Sequence, residues 1–193
     1  MAKVSATFGK VDILVNCAGL AIPRKFEDID YEQFDLIQKT NLYGPWNMCS
    51  ALIRDLKERR GYIVNVSSVA GYLGVFGYTD YSASKFGLIG FSEALRSEYE
   101  REGVTVSVLC PPDTDTPAFE LENKTKPDET KAISGNAKLL SPEQVARALL
   151  KGMKKRKFMI IPGFEGKMIR RIKNIVPGLV HYMIQRDIKK VRS

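Results

Sequence analysis

Tyr81 and Lys85 stand four residues apart in "YSASK". On a helix that spacing is about one turn, ~6 Å along the axis, and it puts both side chains on one face. A free tyrosine titrates near ~10 and is a poor base at neutral pH. An ammonium group beside it favours the phenolate and brings proton transfer toward the working range. Ser68 ends the apolar run "IVNVSS" a short way upstream. A hydroxyl there can donate to a carbonyl oxygen while Tyr81 exchanges its proton, so the chemistry within reach is interconversion of a carbonyl and an alcohol. Plainer readings stay open: a tyrosine and a lysine at this spacing are more often an exposed pair, and Ser67 with Ser68 can simply open a turn.

Such a trio needs strands and helices that bring it together. Val11, Ile13, Leu14 and Val15 make an apolar run that reads as an interior strand of a parallel sheet, leading into a small-residue turn at Asn16, Cys17, Ala18 and Gly19. Residues 28–60 carry apolar positions at helical spacing and stop at Gly61; residues 61–68 form a second strand. A long helix over 78–103 stops at Gly103, and a third strand over 104–112 is broken by Pro111 and Pro112. Residues 113–140 read as a polar, mobile loop. Ser141, Pro142 and Gln144 predict a capped helix start, and 157–163 a short fourth strand. This alternation predicts an α/β, Rossmann-like doubly wound parallel sheet, with chemistry beyond the C-terminal strand ends. Asn16–Gly19, Ser67–Ser68 and Pro111–Thr116 occupy those ends.

In that order and register the residues resemble the short-chain dehydrogenase/reductase family. "NCAG" (16–19) is similar to its Asn-Asn-Ala-Gly turn, with Cys17 for the second Asn; "NLYG" (41–44) is similar to the segment with its helix asparagine. "IVNVSS" (63–68) resembles the serine strand, with Ser68 thirteen residues before Tyr81, and "YSASK" matches Tyr-x-x-x-Lys. "PPDTDT" (111–116) resembles the Pro-Gly-x-x-x-Thr loop, with Pro112 for Gly. The resemblance covers residues 1 to about 163, a partial Rossmann-fold domain, and leaves 164–193 as an extension. It implies that Tyr81 is the general acid for carbonyl reduction, that Lys85 lowers its pKa and bonds the nicotinamide ribose, and that Ser68 polarises the carbonyl. It implies that Asn41 holds a water linking Lys85 to solvent. Asn16, Ala18 and Gly19 would border the adenosine-side ribose, and Pro111, Thr114 and Thr116 would face the nicotinamide. Tyr78 is the rival to Tyr81, but it lies about two turns, ~10 Å, from Lys85.

A narrower likeness lies in "PPDTDTPAFELENKTKPDET" (111–130), "LVNCAG" and "YSASKFG". These stretches resemble members of that family that reduce the ketone of a long-chain sphingoid base with NADPH. Asp113 or Asp115 would then attract a substrate ammonium group, or would make turn hydrogen bonds, the commoner role. The family also opens with a strand, a Thr-Gly-x-x-x-Gly-x-Gly turn and a helix that hold the cofactor's pyrophosphate. No such turn occurs here, and the residue that chooses between NAD and NADP is absent with it. The expectation is therefore an N-terminally truncated fold whose isolated chain binds nucleotide weakly. Other readings are a reductase of another hydrophobic ketone or alcohol, such as a steroid or retinoid, or a non-catalytic subunit that pairs through helices 28–60 and 78–102.

Composition is that of an ordinary soluble domain, 44% hydrophobic and 27% charged. Cys17, Cys49 and Cys110 are scattered in apolar surroundings and read as buried, reduced thiols of a cytosolic chain. With His181 as the single histidine, no metal site is expected. The formal charge of +8 is uneven: residues 151–193, where Glu165 and Asp187 are the sole acids, carry +11, and the rest of the chain −3. Met168, Ile169, Ile172, Ile175 and Val176 mark one face of a helix broken at Pro177–Gly178, and Lys167, Arg170, Arg171 and Lys173 much of the other. Such a helix suits the anionic cytosolic face of a membrane, the endoplasmic reticulum in a eukaryote, or else completes the domain or a dimer contact. His181 is expected to be packed. A hydrophobic small-molecule substrate and a homodimer or tetramer are implied by the resemblance, and nucleic acid is not expected as a partner.

Overall fold

A computed structural model of the chain describes residues 6–7, 9–135 and 139–192. Strands β1 (Ile13–Asn16), β2 (Tyr62–Val66), β3 (Thr105–Leu109) and β4 (Met159–Ile160) form one parallel sheet in the order β1-β2-β3-β4. Asn16 pairs in register with Asn65, and Asn65 with Val108, so the C-terminal strand ends lie side by side. The helices are α1 (Tyr31–Gln38), a π-helical turn at Lys39–Tyr43, α2 (Gly44–Arg59), α3 (Thr79–Tyr99), α4 (Pro117–Thr125), α5 (Asp128–Ser134), α6 (Pro142–Lys154), α7 (Glu165–Ile175) and α8 (Pro177–Arg192).

Both sheet faces carry helices, as a doubly wound sheet requires. On one face Leu14, Ile63 and Val106 pack with Cys49, Leu52 and Leu56 of α2 and Leu95 of α3. On the other, Val64, Leu109 and Ile160 pack with Val145, Leu149 and Met153 of α6. The capping box at Ser141 and Gln144 starts α6 as the sequence predicts. β1, by contrast, is the outermost strand of this sheet: Leu14 is buried, but Ile13 and Val15 on the alternate face are 55% and 45% exposed. Side-chain alternation accounts for this, because α6 covers β2, β3 and β4 on that face.

Other expectations change as well. Residues 113–140 are not one loop, for they contain α4 and α5. Thr116 caps α4, its Oγ1 accepting the Phe119 N–H at 3.2 Å, and Pro117 opens the helix without wasting a donor. The left-handed residue ending α2 is Arg60 (φ 48°), not Gly61. Gly61 is needed for a different reason, since a Cβ there would come within 2.7 Å of the Asp12 carbonyl oxygen.

The apolar stripe of the C-terminal helices divides. Ile169 and Ile172 of α7, with Val180 and Ile184 of α8, pack on Tyr72, Leu73, Val108 and Cys110. Met168, Ile175 and Val176 face outward instead. His181 is exposed, since its neighbour Val180 takes the inward position. Cys17 is exposed as well, standing in the turn after β1, while Cys49 and Cys110 are buried free thiols.

Candidate active site

The strand ends are tied to α3 by a buried polar chain. Asn16 Nδ2 donates to Asn65 Oδ1 at 2.8 Å, Asn65 Nδ2 to Ser92 Oγ at 2.8 Å, and Ser92 Oγ to the Leu88 carbonyl at 2.6 Å. Burial makes these bonds strict, because each group left unpaired would cost about 1–3 kcal/mol. The Asn16 side chain is thus turned to the sheet, and only the backbone of the Asn16–Gly19 turn is free to meet a ligand.

Adjacent serines at the end of β2 take different tasks. Ser67 is buried and donates to the Lys85 carbonyl at 3.0 Å, fixing the helix against the strand end. Gly71 permits that approach, since a Cβ there would lie 2.3 Å from Ser67 Oγ and 2.9 Å from the Lys85 carbonyl oxygen. Ser68 caps the short turn Val69–Gly71, its Oγ accepting the Ala70 N–H at 3.1 Å, and its hydroxyl is near enough to the Tyr81 phenol to draw that group's pKa down. Ser68 thus opens a turn, as the plainer reading expected, while standing beside Tyr81.

Lys85 is 3% exposed, and its Nζ donates to the Val66 carbonyl at 2.9 Å while lying 5.5 Å from the centre of the Tyr81 ring. Burial lowers its pKa to about 8. Tyr81 is pushed well above the usual phenol range, chiefly by burial and then by the charge of Glu122, with the Ser68 hydrogen bond acting in the opposite sense. In this chain Tyr81 is held as the protonated acid, the form a carbonyl reduction consumes, and the phenolate that Lys85 alone would favour is not the resting state.

Asn41, fully buried in the π-helical turn, clamps the segment above Lys85. Its Oδ1 accepts the Leu20 N–H at 2.8 Å, and its Nδ2 donates to the Leu20 carbonyl at 2.8 Å and to Ser84 Oγ at 3.0 Å. A Cβ placed on Gly19 would stand 3.4 Å from Lys85 Nζ, so the turn after β1 ends against the lysine. Asp80, absent from the sequence reading, pins Tyr81 from below. Its Oδ1 accepts the Tyr81 N–H at 2.7 Å and its Oδ2 the Gln33 amide at 2.8 Å. An acid in the first turn of a helix was the available signal.

The segment after β3 forms the opposite wall. Pro111 accepts the Val69 N–H at 3.1 Å. Thr114 Oγ1 donates to the Pro112 carbonyl at 2.9 Å and Thr116 Oγ1 to the Thr114 carbonyl at 3.3 Å, so both hydroxyls serve the loop itself. Asp115 is exposed, and Asp113 lies 3.5 Å from Lys126, whose side chain is buried. Tyr78 is occupied: its hydroxyl donates to Glu122 Oε2 at 2.9 Å, and its ring centre is 5.5 Å from that of Tyr81. The site thus brings together Ser68, Tyr81, Lys85, Asn41 and Gly19, with Glu122, also missed in the sequence, across from them. No metal-binding cluster of His, Cys, Asp or Glu occurs among the described residues.

Comparison with known proteins agrees with this geometry. The short chain dehydrogenase family matches residues 1–127. The chain is 47% identical over 162 residues to 3-ketodihydrosphingosine reductase of Bos taurus, covering 83% of this chain and 49% of the relative. It is 45% identical over 149 residues to the enzyme of the same name in Dictyostelium discoideum, covering 76% and 45%. The chain thus spans about half the length of the curated relatives it matches. A short chain dehydrogenase from Burkholderia cenocepacia, solved in complex with NADP, superposes with a TM-score of 0.80 at 22% identity over 95% of this chain and 72% of that one. The chain belongs to the short chain dehydrogenase family.

Proposed function

We propose that the chain carries the catalytic half of an NADPH-dependent reductase that converts the ketone of 3-ketodihydrosphingosine to the alcohol of dihydrosphingosine. The observation that carries the reading is Tyr81 flanked by Ser68 and by the Lys85 ammonium, 5.5 Å from its ring centre, in a chain whose relatives are named for that substrate. The residues present fit the nicotinamide side of the cofactor, because glycine at position 19 leaves the turn flat against Lys85. The Asn16–Gly19 backbone, with Ala18 at its middle, would border the adenosine-side ribose. Lys85 would hold the nicotinamide ribose, and Pro111, Thr114 and Thr116 would face the ring. The cofactor supplies the hydride.

The remaining steps belong to the chain. Ser68 donates to the carbonyl oxygen, drawing charge toward it. Tyr81 then releases its proton to that oxygen; an alkoxide is a stronger base than a phenolate, so transfer runs downhill even from a tyrosine raised above its usual range. The Lys85 ammonium stabilises the phenolate left behind. Asn41, holding the Leu20 backbone and Ser84, fixes the turn above Lys85, where a water would link the lysine to solvent. The test is a substrate panel with the chain completed by a glycine-rich pyrophosphate-binding segment, using NADPH and NADH. Long-chain amino ketone should be reduced in preference to a steroid ketone or retinal, and NADPH should be preferred to NADH. A steroid or retinoid preference, or pairing without turnover, overturns the reading.

A lipid substrate gives the C-terminal helices a task. Phe164, Met168, Ile175, Leu179 and Tyr182 are exposed beside the exposed Lys167 and Arg171. No helix among the described residues is long and apolar enough to cross a membrane. A basic-rimmed apolar surface of this kind lies on the cytosolic face of the endoplasmic reticulum rather than through it. The protein should cosediment with anionic vesicles, and the double variant Ile175→Glu, Tyr182→Glu should release it; equal binding of both proteins counts against the contact. Outer faces of α2 and α3, where Trp46 and Phe86 are exposed, are the surfaces for a homodimer or tetramer.

A further inference from the structure

We propose that Glu122 recognises the substrate's amine: its carboxylate receives the ammonium group next to the ketone and so sets that ketone against Tyr81 and Ser68. The inference rests on the amino-ketone reading above. Helix α4 carries Glu122 to the strand ends, where it is half-buried and bonded to the Tyr78 hydroxyl at 2.9 Å. Tyr78 in turn lies against Tyr81, ring centre to ring centre 5.5 Å. In an α-amino ketone the nitrogen is two bonds from the carbonyl carbon. A carbonyl held by Tyr81 and Ser68 therefore places its ammonium group one side chain away from Glu122.

The neighbouring groups leave this position to Glu122. Tyr78 is its only hydrogen-bond donor among the described residues, while an ionised carboxylate has room for about four. Lys126 is held at 3.5 Å from Asp113 and over the Phe119 ring at 4.3 Å. Lys85 is held on the Val66 carbonyl. Asp113 has its own lysine and Asp115 is exposed, so neither acid weighed from the sequence is as free to take the amine. Electrostatics favours a cation here. Burial raises the Glu122 pKa despite the Tyr78 hydrogen bond and the Lys126 and Lys85 charges, so its ionised form is only partly compensated, and its charge also opposes loss of the Tyr81 proton. An ammonium group between the two answers both, so the amine would select the substrate and ease the proton transfer together. A ketone without the amine would leave the opposition in place.

The test compares a long-chain 2-amino-3-ketone with the same ketone lacking the amine, in the completed chain with NADPH. Glu122→Gln keeps the size of the side chain and its bond from Tyr78 while removing the charge. It should lower kcat/KM for the amino ketone by roughly ten- to a hundredfold, the range of one charge-assisted hydrogen bond. The amine-free ketone should instead be reduced faster than by wild type, because the charge that opposes loss of the Tyr81 proton is gone. Glu122→Asp, which keeps the charge, should retain part of the preference, and thermal melting checks that both variants fold. Equal losses on both ketones, or no loss on either, overturn the assignment of Glu122 and leave the sphingoid reading standing. A wild-type protein that reduces neither long-chain ketone but does reduce a steroid overturns the reading itself.

Discussion

Tyr81→Phe should remove essentially all ketone reduction from the completed chain, lowering kcat by about 10²–10⁴-fold, the usual contribution of a positioned proton donor. KM should change little, because Ser68 still donates to the carbonyl and the phenyl ring keeps its packing against Tyr78. The expectation turns on Tyr81 being the acid. Burial and the Glu122 charge hold it protonated, with Ser68 and Lys85 beside it. Tyr78→Phe is the informative partner. Its hydroxyl is already given to Glu122, so it should retain turnover within a few-fold. Steady-state rates of the two variants with one ketone decide between them, and a Tyr78→Phe loss as deep as that of Tyr81→Phe would reverse the assignment.

Ser68, Tyr81 and Lys85 were legible because strand ends and helical turns are local rules: one places a hydroxyl at the sheet edge, the other puts residues four apart on one face. Choosing Ser68 over Ser67 needed the family spacing, and the structure adds that Ser67 is spent on the Lys85 carbonyl. Glu122 was not legible because the segment that carries it read as loop. The start signal was there, for Thr116–Pro117 repeats the cap-and-proline pair that Ser141–Pro142 showed. Its polar composition outweighed that signal. Asp80 was hidden for another reason: its partners Gln33 and Gln38 lie some forty residues away in sequence, and no periodicity reports a contact made through tertiary packing.

At β1 the limit is different. An interior strand and an outer strand with one covered face can carry the same apolar run, so content could not reveal that Ile13 and Val15 lie bare while Leu14 is covered. The tail shows the same effect at helical period. Its apolar residues share a stripe in projection, yet α7 turns Ile169 and Ile172 to the core and Met168 and Ile175 outward. That division lets one pair of helices complete the domain and still present an apolar surface. The two uses weighed for the tail from sequence alone are compatible.

Lys85→Met should make the chain more stable while removing its catalysis. The lysine is nearly inaccessible, its Nζ is hydrogen-bonded to a neutral carbonyl rather than a carboxylate, and burial lowers its pKa from 10.5 to about 8. A folded-state pKa below the unfolded one means that folding opposes the charged form. The cost, on the order of 3 kcal/mol, is present in full below about pH 8 and fades as pH rises toward 10.5. Methionine fills similar space without the charge, but leaves the Val66 carbonyl unpaired at about 1 kcal/mol. The net gain near pH 7 is then about 2 kcal/mol, or ~4–8 °C in Tm for a chain of this size. Melting curves of both proteins from pH 7 to 10.5 check the sign: the variant's advantage should shrink across that window and wild type should overtake it at the top. A variant less stable at pH 7 would mean that the ammonium is compensated in the fold itself. If the advantage is found, Lys85 is kept against stability, a common pattern for groups retained for chemistry. The negative charge that justifies it must then come from a bound ligand or from the Tyr81 phenolate formed during turnover.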